Sequence, residues 1–234
     1  MRAEPDRRSQ GDTVHSWVND GSAVWLFVVG AGVLGGILSP AAEVAIARFL
    51  PRAGTRPSIP VQITTAAITF AACAAFSLRL GITFSLPAFL FLAVMGTQLG
   101  RIDISRHLLP NPLVLTLLVG GLLLLLLPAF FNKQAADLGR ALAGCAILFA
   151  AYLILALISP AGIGMGDVKL AAPIGLYLGY LGWTQLLYGG LLGFIINGLV
   201  SALAASRNRR ITGAEVAHGP SMLLATTAAA LFVL

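Results

Sequence analysis

The run Leu113-Val114-Leu115-Thr116-Leu117-Leu118-Val119-Gly120-Gly121-Leu122-Leu123-Leu124-Leu125-Leu126-Leu127 carries no charge in fifteen positions. With Pro112 before it and Pro128-Ala129-Phe130-Phe131 after, it reaches the roughly 20 residues that a helix needs to cross a bilayer. Ala141 to Ile158 is a second such run. The whole chain follows suit, being 58% hydrophobic and only 10% charged, with a mean hydropathy of +0.90, where soluble domains are about a quarter charged. The bilayer is its solvent.

Working outward, apolar blocks between charged or Pro/Gly punctuation give eight spans: Ala23 to Ala47, Val61 to Leu80, Phe84 to Gly100, Pro112 to Phe131, Leu138 to Ile158, Val168 to Trp183, Gln185 to Ala205 and Pro220 to Leu234. Hydrocarbon forces every backbone N–H and C=O to bond internally, and the blocks lack the alternation of barrel strands, so all are helices. The expected fold is an all-α polytopic bundle of about eight transmembrane helices. With no internal repeat and no long linker, residues 23–234 read as one membrane domain. Residues 1–22 mix Arg2, Arg7 and Arg8 with Glu4, Asp6, Asp12 and Asp20, and read as a disordered polar tail. A signal-anchor reading of the apolar stretch after it stays open.

The net charge of +6 and pI near 10 point in a soluble protein to nucleic acid. Here the cations sit between apolar blocks, where they set topology, and no nucleic-acid partner is expected. Odd-numbered loops hold Arg48, Arg52, Arg56, Arg101, Arg106, Lys169, Arg207, Arg209 and Arg210, nine in all, and even-numbered loops hold three, Arg79, Lys133 and Arg140. Adding the tail makes it nine against six. Odd loops are therefore expected in the cytoplasm and both termini outside. Cys73 and Cys145 lie inside apolar blocks, too few for a disulfide framework or a zinc site, and read as packing residues.

Past the tail only five carboxylates remain: Glu43, Asp103, Asp137, Asp167 and Glu215. Asp137 and Glu215 fall in polar loops, and Glu43 has Arg48 about one turn on as a helical partner. Asp103 lies just past the third span, in Arg101-Ile102-Asp103-Ile104-Ser105-Arg106-His107-Leu108-Leu109-Pro110-Asn111. Asp167 opens the sixth, in Gly162-Ile163-Gly164-Met165-Gly166-Asp167-Val168-Lys169-Leu170. The loop count puts both at the cytoplasmic ends of their helices, so they can meet at one depth. Two carboxylates close together do not both ionise easily, and such a pair can hold and polarise a water for peptide hydrolysis. Each acid also has a plain structural reading. Asp167 suits a helix N-terminus as a cap or first-turn acid, and Asp103 can pair with Arg101 or Arg106.

Gly162 and Gly166 make a small-xxx-small pattern for close helix packing. Glycines ahead of Asp167 would also leave the backbone bare where an extended substrate must reach the acid. Lys169 is read first as a headgroup-zone cation. No Gly-Lys-Ser/Thr follows the glycines, and neither a His-Glu-x-x-His nor a Gly-x-Ser-x-Gly motif is present.

With these residues the sequence resembles the type IV prepilin leader peptidase family, the bacterial intramembrane aspartic proteases that process pilins and pseudopilins. The first family element is an Asp followed by Leu/Ile-Pro-Asn/Asp, matched by Asp103 and Leu109-Pro110-Asn111. The second is Gly-x-Gly-x-Gly-Asp-x-Lys-Leu, matched in full from Gly162 to Leu170. His218-Gly219-Pro220-Ser221 is similar to the Gly-Pro element that opens the family's last helix. The resemblance covers most of the chain from about Phe84 to the end. It implies Asp103 and Asp167 as catalytic aspartates, with Gly162, Gly164, Gly166, Lys169, Pro110 and Asn111 as substrate-binding or supporting residues. It also implies cleavage after the Gly that ends a short basic leader, at the cytoplasmic face of the bacterial inner membrane, with no metal or organic cofactor. The implied partners are a prepilin or pseudopilin in the bilayer and components of a pilus or secretion assembly.

Bifunctional members carry paired Cys-x-x-Cys motifs in a large first loop and methylate the new N-terminus. The loop from Arg48 to Pro60 is short and has no cysteine. Gly35-Gly36-Ile37-Leu38-Ser39 and Arg48-Phe49-Leu50-Pro51 stand as a degenerate remnant, so methyltransferase activity is expected to be absent, as in the short peptidase-only members. A proton-coupled carrier using the acids as relays and a non-catalytic scaffold of a pilus assembly platform are the rival readings.

Overall fold

The computed structural model describes residues 21–50, 56–132, 135–158, 163–207 and 218–233. The expected polar tail lies outside the described residues but for its last two positions. Among the described residues eight helices follow one another: α1 Gly21–Phe49, α2 Ile59–Leu80, α3 Leu86–Arg106, α4 Asn111–Phe131, α5 Ala135–Ile158, α6 Met165–Leu181, α7 Trp183–Arg207 and α8 Gly219–Phe232. Among the described residues there is no strand. Six of the eight, all but α6 and α8, are long and apolar enough to cross a bilayer. The chain is a multi-pass membrane protein built as a helical bundle.

The two short helices form the inside of the bundle. From Val168 to Tyr180 every residue of α6 except Lys169 is buried, as expected of a helix apolar on all sides. Glycine lets α6 lie against α5 at backbone contact. A Cβ on Gly144 of α5 would stand 2.5 Å from the Gly175 carbonyl oxygen, and one on Gly179 would stand 2.7 Å from the Arg140 carbonyl oxygen. In lipid, where association rests on close packing rather than on expulsion of water, such small-residue faces hold helices together. Arg140 closes the far end of the same contact, donating Nε to Gly179 O at 2.8 Å and Nη2 to Tyr180 O at 2.7 Å. These carbonyls end α6 and need donors. On the other side Tyr177 meets Phe89 of α3 edge-on at 5.6 Å, and Phe89 meets Phe76 of α2 at 5.5 Å.

Several details depart from the sequence reading, among them Asp137, which lies in the first turn of α5 and pairs with Arg140 at 3.0 Å instead of standing in a polar loop. Helix α3 runs past Gly100 to Arg106, so Asp103 lies inside its last turns and not beyond them. The inward stripe simply continues, with Leu99, Ile102 and Asp103 all buried. Glu43 is not paired with Arg48, because five positions along a helix is too far round to share a face. It is buried and accepts the Thr65 hydroxyl of α2 at 2.7 Å, with Arg101 Nε of α3 at 3.9 Å. Arg48 is exposed, its guanidinium 6.0 Å from the Phe49 ring. Arg101 also donates Nε and Nη2 to Gln98 Oε1 at 3.1 and 3.0 Å, and Gln98 Nε2 donates to Ser39 Oγ at 3.1 Å. Arg101 is therefore an interior cation tying α1 to α3, not a loop charge. Cys73 and Cys145 are free thiols, as expected of packing residues.

Replacing Gly175 by Val forces side-chain atoms into the Gly144 backbone, and should destabilise the bundle by about 1–3 kcal/mol or prevent folding, as overpacking does. Gly30, with no atom within 4 Å of a Cβ position, should accept Ala with a gain of up to about 1 kcal/mol. Thermal unfolding of the two variants in detergent separates them.

Candidate active site

Asp103 reaches the end of α3 on a buried face, and it is only 6% exposed. The helix stops one turn later because His107 takes a left-handed conformation, φ 49° and ψ 43°, while its N–H donates to Asp103 O at 2.8 Å. His is among the few side chains with some tolerance for that region. The turn sends Leu108 to Pro110 back across the bundle end. Pro110 then caps α4, accepting from the N–H groups of Leu113 and Val114 at 3.0 and 3.2 Å.

Asp167 is the third residue of α6, which starts from Gly164 as N-cap. A carboxylate there can reach back to the N-cap N–H, the second half of a capping box, and sits at the positive end of the helix dipole. Gly164 lies against that carboxylate, where a Cβ would stand 3.4 Å from Asp167 Oδ2. Asp103 receives its own backbone donor, Gly219 N–H, at 3.1 Å on Oδ2. Gly219 has no room for a side chain: a Cβ would lie 2.6 Å from the same oxygen.

The two acids share one end of the bundle, and the charge of Asp103 is felt at Asp167. Leu109 joins their surroundings. Its side chain is 3.2 Å from a Cβ position on Gly166 and 3.5 Å from one on Gly219, so it wedges between the α6 and α8 starts. Outside it, Lys169 Nζ donates to Asn111 Oδ1 at 3.0 Å, linking α6 to the start of α4. The sequence read Lys169 first as a headgroup cation, and it does stay exposed, but its ammonium has this specific partner. Of the residues picked from sequence, Asp103, Asp167, Gly164, Gly166, Lys169, Pro110 and Asn111 thus gather in one place. Gly162 lies outside the described residues.

Sequence reasoning missed the aromatic wall beside Asp167. Tyr152 of α5 is buried within electrostatic reach of Asp167. Its hydroxyl lies 3.2 Å from His218 Nε2 in a hydrogen bond, and its ring stacks on Phe194 of α7 at 5.0 Å. His218 is the N-cap residue of α8, next to Gly219. The Tyr152–His218 contact therefore fixes the helix start that supplies the donor to Asp103. The signal available was a phenol in an apolar run. Among the described residues no three His, Cys, Asp or Glu side chains gather as a metal-ligand set.

Comparison with known proteins gives a consistent pattern. Residues 90–203 match the model of the type IV leader peptidase family. The chain is 40% identical over 94 residues to a prepilin leader peptidase/N-methyltransferase of Aeromonas hydrophila, covering 40% of this chain and 32% of that protein. It is 34% identical over 153 residues to one of Dickeya chrysanthemi, covering 60% and 52%, and 28% identical over 146 residues to one of Stutzerimonas stutzeri, covering 62% and 49%. The matches thus span from about a third to half the length of these relatives. No solved structure matches the chain.

Burial pushes the imidazole of His218 below its ordinary range. The unfolded chain then binds the extra proton more readily, so the neutral ring favours the folded state above about pH 6.5 and that contribution is lost as pH falls below it. Wild type should lose thermal stability through this window, and His218→Phe should lack that component. Melting curves of both proteins over pH 5 to 8 make the comparison.

Proposed function

This chain belongs to the type IV leader peptidase family, and from that premise we propose that it is an intramembrane aspartic endopeptidase acting through Asp103 and Asp167. Its substrates are prepilins or pseudopilins held in the membrane, cut after the Gly that ends a short basic leader, at the cytoplasmic face of a bacterial inner membrane. Residues 23–234 act as one peptidase domain.

The observation that carries the reading is that two acids, from α3 and α6, share one end of the bundle, Asp103 accepting the Gly219 N–H and Asp167 lying beside Gly164. A lone acid explained as a cap or an ion pair does not call for the second. Among the described residues Asp103 forms no ion pair with Arg101 or Arg106, and Arg101 is engaged with Gln98 and Glu43. Together the acids hold one negative charge more easily than two. The ionised member takes a proton from a water as the water oxygen attacks the scissile carbonyl carbon. The protonated member donates a hydrogen bond to the carbonyl oxygen as charge develops there. When the tetrahedral intermediate collapses, the C–N bond breaks and the leaving amine takes up a proton from the acid that received one. The two carboxyls titrate as a unit, so the roles belong to the pair. Gly164 and Gly219 keep side chains away from the acids, where an extended peptide must lie, and Gly166 leaves room for Leu109. Leu109, Pro110, Asn111 and Lys169 hold the starts of α4 and α6 against each other.

The relatives' names join peptidase to N-methyltransferase, but this sequence has only Cys73 and Cys145 and no Cys-x-x-Cys. We therefore assign it the peptidase step alone.

In membranes containing a prepilin, Asp103→Asn and Asp167→Asn should each lower processing by roughly a thousandfold or more, with the double variant no worse, as for groups that act as one unit. A single Asn variant that still trims the leader at the wild-type rate removes the proposal. Mass spectrometry of the processed N-terminus, with S-adenosylmethionine supplied, should show a free amine. A methylated product would contradict the peptidase-only assignment.

A further inference from the structure

Helices α2 and α8 stand apart on one side of α3 and leave a cleft of about 520 Å3 along it. Its floor runs on α3 from Leu92 to Ser105, its walls include Thr64 and Ile68 of α2 and Leu224 of α8, and all three wall residues are exposed at its lips. We propose that this cleft is the docking groove for the apolar transmembrane helix of the substrate, whose scissile end it delivers to Asp103 and Asp167. The proposal rests on the peptidase reading and adds to it the route by which substrate reaches the acids.

Three features select this occupant. The first is continuity with the site. Ile104 and Ser105, at one end of the floor, follow Asp103 in the chain, and Pro220 on the α8 wall follows the Gly219 that bonds Asp103. A helix seated in the cleft therefore ends beside the acids, where a few extended residues cover the remaining distance. The second is shape. Leu92 to Ser105 spans about 20 Å of helix rise, some two-thirds of the hydrocarbon thickness. A helix about 10 Å wide and that long displaces about 1,600 Å3, so the cleft takes roughly a third of it, meaning one face. The third is chemistry. The lining is almost wholly apolar, and its one charged group, Arg101, is engaged by Gln98 and Glu43. The cleft thus presents packing surface for aliphatic side chains, with Thr64 and Thr97 hydroxyls spent on their own helices' carbonyls. A substrate that must keep its backbone bonded in hydrocarbon enters as a helix, laterally.

The test uses the full chain in bacterial membranes with a prepilin, a photoreactive phenylalanine analogue being placed at Thr64, at Leu224, or at the exposed Leu157 of α5 as control. Adducts to the prepilin's apolar segment from 64 and 224, at least tenfold above 157, are expected. Lipid adducts alone at 64 and 224, or equal prepilin labelling from 157, overturn the groove. In parallel, Thr64→Trp and Leu224→Trp should raise KM for the prepilin about tenfold and leave kcat unchanged. Unchanged KM in both overturns it too. The reading beneath it is judged separately, by whether wild-type membranes process the prepilin at all.

Discussion

An aspartate taken out of water has to be given hydrogen-bond donors, and the donor given to Asp103 comes from another helix. The N–H of Gly219 binds its Oδ2 at 3.1 Å. Gly219 approaches from a direction in which a Cβ would stand 2.6 Å from that oxygen, so this donor tolerates no side chain. The bond thus ties the start of α8 to the end of α3, and much of the site is arranged around keeping that tie. Leu109 fills the space between Gly219 and Gly166, His107 turns the chain so that Leu109 can reach it, and the Tyr152–His218 hydrogen bond holds the preceding residue.

The same bonds that satisfy the acids also limit their freedom. Asp167 lies beside the N-cap of its own helix, and Asp103 accepts a donor from the N-terminal end of another. Each carboxylate has oxygen capacity left for a water or a peptide group. Buried charge is costly unless paired or donated to, and a like charge nearby raises that cost. Farther along, α6 is packed at backbone contact on α5 through Gly175 and Gly179.

Several misreadings came from treating charges one helix at a time. Arg101 looked like a loop cation and Glu43 like the partner of Arg48, because sequence spacing offers only neighbours on the same helix. Their real partners, Glu43 with Thr65 and Arg101, lie on three different helices. Tyr152 went unremarked because nothing in an aliphatic run says which residue a phenol faces. The cleft along α3 is equally invisible in one dimension, since it exists only where α2 and α8 fail to meet.

The sequence by itself determined the solvent, the helical class and the number of helices, because hydrocarbon forbids unbonded backbone and long apolar blocks announce themselves. It also made Asp103 and Asp167 candidates, since an acid beside so much apolar surface stands out. Only the tertiary structure decided that α6 is the buried centre, that Asp103 lies within α3, and that its donor is Gly219 of α8. Those outcomes depend on contacts between segments far apart in the chain, made possible where two backbones approach without side chains between them. Sequence shows the glycines that permit such an approach, but not which backbone arrives.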